Sequence, residues 1–411
     1  MSDRYPGGLI RKTPPTITPP VDGEGGSAPG IWTLEQVAYY TKEGTWPKPV
    51  LPRELYTWGR NNSYGGGGQL GLNDIINRSS PTQVGALITW EEAAVGGAHC
   101  LATQKDNSLW SWGNGNSGRL GLNDTVSKSS PVQVGALTNW LEKAGGQYHS
   151  TAIKTDGTLW SWGANANGQL GLGNKVSYSS PVQVGSDTTW YKVSDGTYDS
   201  FAVKTDGTLW AWGWNIYGQL GQNNLVYASS PVQVGALATW ANVSAGQIGV
   251  VAIKTDGTLW GWGHNTTGLL GIGNTINQSS PVQIGALTTW LQISAGAYHC
   301  LAIKTDGTLW AWGNNGSGRL GNNNTVNTSS PIQVGALASW SKVAGGAEWS
   351  KAIKTDGTMW SWGNNNNGQL GHNNTINLSS PVQVGSETVW STLAQGCIGS
   401  TDSPSVATTK G

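Results

Sequence analysis

The sequence is short of charge. Only 11% of its 411 residues are Asp, Glu, Lys or Arg, and the 23 basic residues balance the 23 acidic ones to a formal net charge of zero. Nucleic-acid binding needs clustered Lys and Arg to neutralise phosphates, so this balance argues against a nucleic-acid partner. Neutral polar loops, rich in Gly, Asn, Ser and Thr, must keep such a chain soluble.

Cysteine and long apolar segments are also scarce. The three cysteines, Cys100, Cys300 and Cys397, are odd in number and widely spaced, which does not suggest a disulfide framework. No Cys/His cluster has zinc spacing, and no stretch of 18 apolar residues could cross a membrane. The N-terminus does not have the form of a signal peptide. We therefore expect synthesis in the cytoplasm, no membrane insertion, no metal and no cofactor.

The abundant feature is an internal repeat. From residue 101 the sequence repeats every 50 residues without an insertion, and three motifs each occur seven times: Trp-Gly, Ser-Ser-Pro and a single Trp. The Trp-Gly series begins at Trp58, Trp112, Trp162, Trp212, Trp262, Trp312 and Trp362. Repeats of this length are typical of solenoids and propellers.

Each unit has a β pattern. In residues 150–200, a short strand ends at Lys154, the Asp156-Gly157 pair supplies the positive φ angles of a tight hairpin, and the returning strand carries Trp160 and Trp162 on one face. A strand at Pro181 and a fourth from Trp190 complete the unit. Four short strands repeated seven times predict an all-β, seven-bladed β-propeller.

The two ends of the chain favour a closed ring over a solenoid. The last unit stops after Trp390 without its hairpin and Trp-x-Trp-Gly strand, and Leu55-Tyr56-Thr57-Trp58-Gly59 supplies that missing strand at the start. We therefore expect an N-terminal strand to close the ring in the last blade, which removes exposed sheet edges. The invariant tryptophans are predicted to pack between blades.

The unit Ala-Ile-Lys-Thr-Asp-Gly-Thr-Leu-Trp-Ser-Trp-Gly-x-Asn-x-x-Gly-Gln-Leu-Gly resembles the regulator of chromosome condensation repeat family over residues 54–400. The resemblance implies a seven-bladed propeller with one strand exchanged between its ends. It does not imply the founding member's exchange-factor activity on a small nuclear GTPase, because fold is not function and this chain lacks the basic surface and blade insertion that activity needs. Other members of the family bind proteins, including one that inhibits β-lactamases.

Residues 1–53 form a predicted N-terminal arm ahead of the propeller at residues 54–411. Its proline and glycine content predicts an extended, PPII-like chain, and Thr33-Leu34-Glu35-Gln36 fits a capping box that begins a short helix over Leu34 to Lys42. The arm is either a disordered leader or a segment that orders on a neighbouring subunit, and its distinctive motifs favour the second.

The arm is similar to an N-terminal module of marine bacteriophage virion structural proteins. This resemblance implies a virion component whose arm attaches to other virion proteins. The attachment residues it implies are Tyr5, Pro6, Leu9, Ile10, Ile31, Trp32 and Trp46.

Comparison of the seven units separates constant from variable positions. The variable ones lie mostly in two loops that strand direction places on one face, which we call the top face. Loops on a rigid scaffold commonly carry recognition, and Tyr and Trp contribute large contact areas. Neutral drift is the alternative to a contact face. We predict a contact face for a host surface protein or glycan at Tyr148, Tyr198, Trp214, Tyr217, Tyr298 and Trp349.

Catalysis has little support in the sequence. It has no phosphate-binding glycine loop, no evident nucleophile–base pair and no metal cluster, since His99, His149 and His299 have no carboxylate partners in the repeat. We predict a non-enzymatic bacteriophage virion protein, located in the virion. Within the virion we predict a tail- or fibre-associated adhesin for host recognition, attached by its N-terminal arm, and a capsid decoration or other virion structural subunit is the alternative. A bacterial protein-binding propeller is the next alternative, followed by a glycan-active enzyme.

Overall fold

The repeats fold into seven antiparallel sheets of four strands each. The computed structural model of the chain describes residues 53–62, 66–87, 89–394 and 403–410, which belong to one unit, Arg53–Lys410. The predicted all-β, seven-bladed propeller with almost no helix is confirmed. The arm, with its helix over residues 34–42 and its attachment residues, lies outside the described residues, so these features stay predictions.

Six of the sheets consist of four consecutive strands, and we number them as blades 1 to 6. Two strands precede them, β1 (Leu55–Gly59) and β2 (Arg78–Gln83). Blade 1 contains β3 (Trp90–Val95), β4 (His99–Gln104), β5 (Leu109–Gly113) and β6 (Lys128–Gln133), with a 3₁₀ turn at Asn116–Gly118. Blade 2 contains β7 (Trp140–Gly145), β8 (His149–Lys154), β9 (Leu159–Gly163) and β10 (Tyr178–Gln183). Blade 3 contains β11 (Trp190–Asp195), β12 (Asp199–Lys204), β13 (Leu209–Gly213) and β14 (Ala228–Gln233).

The next three blades repeat this pattern. Blade 4 contains β15 (Trp240–Ala245), β16 (Gly249–Lys254), β17 (Leu259–Gly263) and β18 (Gln278–Gln283). Blade 5 contains β19 (Trp290–Ala295), β20 (His299–Lys304), β21 (Leu309–Gly313) and β22 (Thr328–Gln333). Blade 6 contains β23 (Trp340–Gly345), β24 (Trp349–Lys354), β25 (Met359–Gly363) and β26 (Leu378–Gln383). The last strands of the described chain are β27 (Trp390–Leu393) and β28 (Ser405–Thr409).

The seventh sheet, blade 7, combines strands from both ends of the described chain. Its order is β27, β28, β1, β2, and β1 pairs antiparallel with β28 from Leu55 opposite Thr408 to Trp58 opposite Ser405. Strand β28 was not expected, because its sequence Ser-Val-Ala-Thr-Thr does not carry the hairpin motif of the other units.

An aspartate holds the hairpin between the second and third strands in each of blades 1 to 6. In blade 2, the Asp156 carboxylate accepts hydrogen bonds from the Thr158 backbone N–H at 3.0 Å and the Thr158 hydroxyl at 2.6 Å. Gly157 has φ of 76°, whereas Asp156 has an ordinary negative φ. The prediction that both residues of the pair supply positive φ was therefore wrong, since only the glycine does so and the aspartate instead caps the turn.

The Trp-Gly tryptophans join neighbouring blades. All seven indoles are fully buried, as predicted for residues between blades. Each donates its N–H to a backbone carbonyl of the preceding blade, for example Trp162 to Arg119 at 2.9 Å and Trp212 to Gln169 at 2.8 Å. A buried carbonyl left without its donor costs free energy, so each indole ties two blades together by both packing and hydrogen bonding.

The first strand of every blade faces a common central cavity. Residues of β3, β7, β11, β15, β19, β23 and β27 together line a space of roughly 340 Å³. The lining is polar and nearly balanced in charge: the Lys143 ammonium lies 3.3 Å from the Glu92 carboxylate, and the Lys192 ammonium lies 3.8 Å from Glu142. Burial lowers the pKa of Lys143 and raises that of Glu142.

The connecting loops separate into the two predicted faces. The loop before the second strand and the loop after the third strand meet on the top face, where the backbone N–H of Trp214 donates to the Tyr198 carbonyl at 2.9 Å. The hairpin and the turn into the next blade meet on the opposite face, where the backbone N–H of Trp190 donates to the Gly157 carbonyl at 3.2 Å. The assignment of loops to faces from strand direction is therefore consistent with the structure.

Candidate functional site

A continuous row of aromatic side chains crosses the top face of blades 2 to 4. We call it the aromatic strip, and its members are Tyr148, Tyr198, Trp214, Tyr217 and His264. Successive ring centroids lie 5.4, 5.6, 5.6 and 4.7 Å apart. The two tyrosines at one end are stacked with an interplanar angle of 22°, and the following rings cross at 74°, 85° and 67°. Such offset and edge-to-face pairs are favourable for aromatic rings.

The residues of the strip stand at repeat positions where the amino acid differs from blade to blade. Tyr148 and Tyr198 occupy the same loop position in blades 2 and 3, where blades 1 and 4 have Ala98 and Ile248. All members except the histidine were predicted for the contact face, and the structure brings these four together. The rings are half-buried, so each keeps one part packed and another part open to solvent.

Buried asparagines fix the loops that carry the strip. In blade 3 the fully buried Asn215 donates from its amide to the backbone carbonyls of Asn224 at 3.1 Å and Val226 at 3.0 Å, and it accepts from the Leu220 N–H at 2.9 Å. The Tyr217 N–H donates to a glutamine side chain at 3.0 Å. Because the backbone is held in this way, the rings are positioned before any partner arrives.

An arginine supports the end of the strip in blade 2. The Arg119 guanidinium lies 4.9 Å from the centre of the Tyr148 ring and donates to the carbonyls of Gln147 at 3.0 Å and Asn116 at 2.9 Å. Burial lowers the pKa of Arg119 to about 10, so it remains charged at neutral pH. The Gln147 amide donates to the Tyr148 hydroxyl at 2.9 Å. This end of the strip is therefore held by a cation–π contact and hydrogen bonds.

A buried polar layer lies beneath the stacked tyrosines. His149 contacts the Ser200 hydroxyl at 2.8 Å and lies 3.6 Å from the Asp195 carboxylate, so the prediction that this histidine has no carboxylate partner was wrong. The other oxygen of the Asp195 carboxylate accepts a hydrogen bond from the Thr151 hydroxyl at 3.0 Å. Burial, reinforced by the nearby Asp195, raises the pKa of Asp199 well above its ordinary value. Asp195 and Asp199 are only 1% and 2% exposed, so neither is presented to a substrate on the top face.

The three histidines at this repeat position, His99, His149 and His299, make separate contacts. His99 and His299 contact the hydroxyls of Ser150 and Ser350 at 2.9 and 2.8 Å, and each contact joins one blade to the next, as His149 does. Within the described residues, no group of three or more His, Cys, Asp or Glu side chains is placed to hold a metal ion. These histidines therefore have a packing role between blades.

Two predicted contact residues lie elsewhere. Trp349 is only 4% exposed, so its assignment to the contact face was wrong: it occupies the slot that His99, His149 and His299 fill in other blades. Tyr298 lies on the top face but packs against Ala297 and Ala347, away from the strip.

The sequence prediction missed two residues of this site. His264 was not among the predicted contact residues, although its ring contacts Tyr217, and burial lowers its pKa. Nothing in the sequence marked Arg119 as a site residue, since Arg also occurs at the equivalent position 319 while the other units have Gln or Leu.

Among the described residues, no helix is long and apolar enough to cross a membrane.

Comparisons with known proteins agree with the propeller. The model of the RCC1-like domain matches residues 53–291, and models of the regulator of chromosome condensation (RCC1) repeat match residues 290–319, 306–353, 340–369 and 356–396. No curated protein sequence matches the chain.

Solved structures with the same fold include Prp20p from Saccharomyces cerevisiae and human WBSCR16. Each is 20% identical to this chain with a TM-score of 0.76. The Prp20p match covers 88% of this chain and 92% of the other, and the WBSCR16 match covers 87% and 99%. At this identity the likeness shows the fold alone. Since the domain model spans more than half of the sequence, the chain belongs to the RCC1-like domain family.

Proposed function

We propose that the protein is a non-enzymatic, protein-binding propeller and that the aromatic strip is its contact surface. The observation that carries this proposal is the strip itself: five aromatic side chains in unbroken contact, each partly exposed, on one face of an otherwise repetitive scaffold. Rigid Tyr and Trp side chains bury large areas at little entropic cost, which is why they dominate protein-binding hot spots.

Proteins of the same fold support a protein partner. The Saccharomyces cerevisiae structures describe the binding of Prp20p to Gsp1p and histones and a complex of Kap60 with yeast RCC1 (Prp20). The latter matches this chain at 20% identity over 88% of its length, with a TM-score of 0.76 and 89% of the other chain covered. These partners belong to those proteins. For this chain, the fold and the neutral aromatic surface support protein binding in general.

The test is a comparative capture experiment on three variants. We would immobilise the wild-type protein and the variants Tyr198→Ala, Trp214→Ala and Tyr298→Ala, and quantify the retained proteins by mass spectrometry. Tyr298→Ala is the matched control, because Tyr298 has the same loop position as Tyr198 but lies outside the strip. We expect a partner that the control retains and both strip variants lose. Retention of the same proteins by all four would contradict the proposal.

We also propose that blade 7 closes the ring by exchange of strands between the chain ends. Support comes from β1, which pairs with both β2 and β28. In that arrangement the outer strands of one blade come from the start of the domain and the inner strands from its end.

The finer prediction of a bacteriophage virion protein depends on the arm. Its residues lie outside the described part of the chain, and the comparisons match only the propeller. The virion role, attachment through the arm and location in the virion therefore stay predictions. Electron microscopy of phage particles from the source tests them, since they require the propeller to be visible at the tail or on the capsid.

A further inference from the structure

The fourth strand of each blade leaves a sheet edge at the rim of the ring. Every blade runs from its first strand, which lines the central cavity, to its fourth strand, which ends the sheet. We call the unpaired side of a fourth strand the outer edge. Such edges are templates for pairing with a strand of another molecule. All seven fourth strands carry the Ser-Ser-Pro motif, whose role the contact surface does not explain.

The proline of the motif removes a hydrogen-bond donor from the outer edge. In blade 4 the Ile284 N–H donates to the Leu259 carbonyl of the neighbouring strand at 2.8 Å, and the equivalent bond measures 2.7–2.8 Å in all seven blades. Alternate residues of a strand direct their backbone groups to opposite sides, so Pro281 and Gln283 face the outer edge. Since proline has no N–H, the edge lacks a donor at this position.

A loop of the preceding blade occupies an acceptor on the same edge. The backbone N–H of Asn223, in blade 3, donates to the Ser279 carbonyl of blade 4 at 2.7 Å. The equivalent bond measures 2.7–2.8 Å in all seven blades, and its donor is always an Asn or Gly with φ between 55° and 79°. These residue types adopt the left-handed conformation at the least cost. The donors are Asn73, Asn123, Gly173, Asn223, Gly273, Asn323 and Asn373.

The same loop packs against the backbone of the first serine. A Cβ on Gly218, in the loop of blade 3, would lie 2.4 Å from the Ser279 Cα, and the equivalent distance is 2.4–2.7 Å at every blade. The loop is therefore in direct contact with the next fourth strand. A strand from another molecule would have to displace this loop to reach the serine.

The outer edge consequently presents too few open groups for a ladder of hydrogen bonds. In blade 4, Ser279, Pro281 and Gln283 all direct backbone groups to the edge. The serine carbonyl already accepts a hydrogen bond and the proline has no N–H, so of these three only Gln283 presents both a donor and an acceptor. A ladder needs such residues in succession at every second position.

Charge does not protect these edges. Proteins often block edge strands with charged side chains, lysine above all. Here the fourth strands of five blades contain no charged residue, and Arg78 and Lys128 are the exceptions in the other two. The formal net charge of the chain is zero, so two copies do not repel each other through net charge. Protection of the edges must therefore come from the backbone.

We infer that the Ser-Ser-Pro motif and the loop of the preceding blade together prevent the outer edges from pairing with a fourth strand of a second copy of this chain. The arrangement recurs in every blade because each open edge would be an independent pairing site. This inference concerns self-association, so it does not depend on the proposed contact surface of the top face.

Sedimentation velocity of the full-length chain tests the inference. Pro281→Val restores the N–H in a residue with high strand propensity, so two copies can pair their blade 4 edges antiparallel. We expect the weight-average mass to rise with protein concentration toward about twice that of the wild type. In the same samples, hydrogen exchange followed by mass spectrometry should become slower over Gln278–Gln283.

Pro281→Lys is the matched control. It restores the same N–H but brings two ammonium groups together when two edges pair, so its sedimentation should remain that of the wild type. A sevenfold variant, with valine in place of the proline of every motif, opens all the outer edges and should form assemblies larger than dimers. Circular dichroism melting checks that each variant is folded, and Pro281→Val alone decides if the sevenfold variant is not.

Three outcomes would overturn the inference. If the folded Pro281→Val and sevenfold variants both sediment like the wild type, the proline does not block pairing. If Pro281→Lys associates as strongly as Pro281→Val, the association comes from loss of the proline ring and not from edge pairing. If association occurs without slower exchange over Gln278–Gln283, the contact lies elsewhere on the molecule.

Discussion

Replacement of Lys351 by leucine should stabilise the propeller. Lys351 lies in β24 at a position where other units have Leu101 and Leu301, and its side chain is 1% exposed. The ammonium nitrogen is 4.2 Å from the Trp58 ring centre and 4.0 Å from that of Trp349, and it has no hydrogen-bond partner among the described residues. Burial lowers its pKa well below the ordinary value.

The competing effects can be ranked by size. Desolvation of an ammonium costs several kcal/mol, whereas cation–π contacts contribute about 2 kcal/mol even when desolvated. Burial therefore prevails over the cation–π contacts, so the folded state disfavours the charged form of the Lys351 amine. Each unit of pKa depression costs about 1.4 kcal/mol at a pH where the unfolded lysine is charged, and an unpaired buried amine adds about 1–3 kcal/mol. Lys351→Leu removes both costs, so we expect a gain of about 2 kcal/mol or more in the free energy of unfolding at pH 7.

The pH dependence gives an independent check. Between the depressed pKa of folded Lys351 and the unfolded value of about 10.4, the unfolded state binds one more proton, so wild-type stability rises with pH across that window. The leucine variant lacks this contribution, so the amount by which its free energy of unfolding exceeds that of the wild type should shrink from pH 7 to about pH 10. Urea unfolding followed by tryptophan fluorescence measures the free energy of unfolding of the wild type and the variant at each pH. Lys175→Leu, at an exposed lysine, is the control and should keep the wild-type slope. A variant no more stable than wild type at pH 7, or an advantage constant with pH, would refute the reasoning.

Three further changes test the blade contacts and the buried carboxyl. Trp212→Phe removes the N–H that a buried carbonyl of the preceding blade accepts and leaves a small cavity, so it should lower the free energy of unfolding by about 2–4 kcal/mol. Trp210→Phe removes a hydrogen bond to a part-exposed threonine hydroxyl and keeps an aromatic ring against Trp190 and Lys204, so in the same urea titration it should cost about 1 kcal/mol or more less than Trp212→Phe. Gly121→Ala places a Cβ 2.8 Å from the indole nitrogen of a buried tryptophan, whereas Gly135→Ala meets nothing within 4 Å at a similar positive φ. The first should therefore cost at least about 2 kcal/mol more than the second, and equal costs would show that backbone strain alone decides. Burial raises the pKa of Asp199, so its favourable contribution at low pH is lost as pH rises through the folded-state pKa. Asp199→Asn should flatten the fall in melting temperature above about pH 4, and an unchanged pH profile would show that Asp199 does not titrate there.

The repeat made the architecture predictable. Seven copies of a four-strand pattern specify seven sheets, and the constant Trp162 and its equivalents indicated contacts between blades. The strand Ser405–Thr409 was missed because it carries no hairpin motif, although it pairs as the second strand of its blade. Pairing along the backbone depends on position in the fold, which the sequence of that segment does not encode by itself.

The candidate site was predicted in part, for a reason that Trp349 makes clear. Variation between units was taken as a sign of exposure, yet Trp349 varies in a buried slot. The neighbouring glycine makes room for it: a Cβ on Gly346 would lie 2.0 Å from the Trp349 ring, as one on Gly146 would lie 2.2 Å from the His149 ring. The contact between Tyr148 and Tyr198 depends on how adjacent blades meet, which the sequence of a single unit does not contain.

The mixed sheet of blade 7 has a consequence for how the protein folds during synthesis. Blades 1 to 6 each contain only consecutive strands, so each can begin to form as its own residues leave the ribosome. Strand β1 emerges before all of them, yet Leu55 pairs with Thr408, near the end of the chain. One edge of β1 therefore remains unpaired through most of translation. The pairing of this edge with β28 joins residues far apart in sequence, so it should be a slow folding step. We therefore expect incomplete chains to aggregate, and to need chaperones, through the unpaired edge of β1.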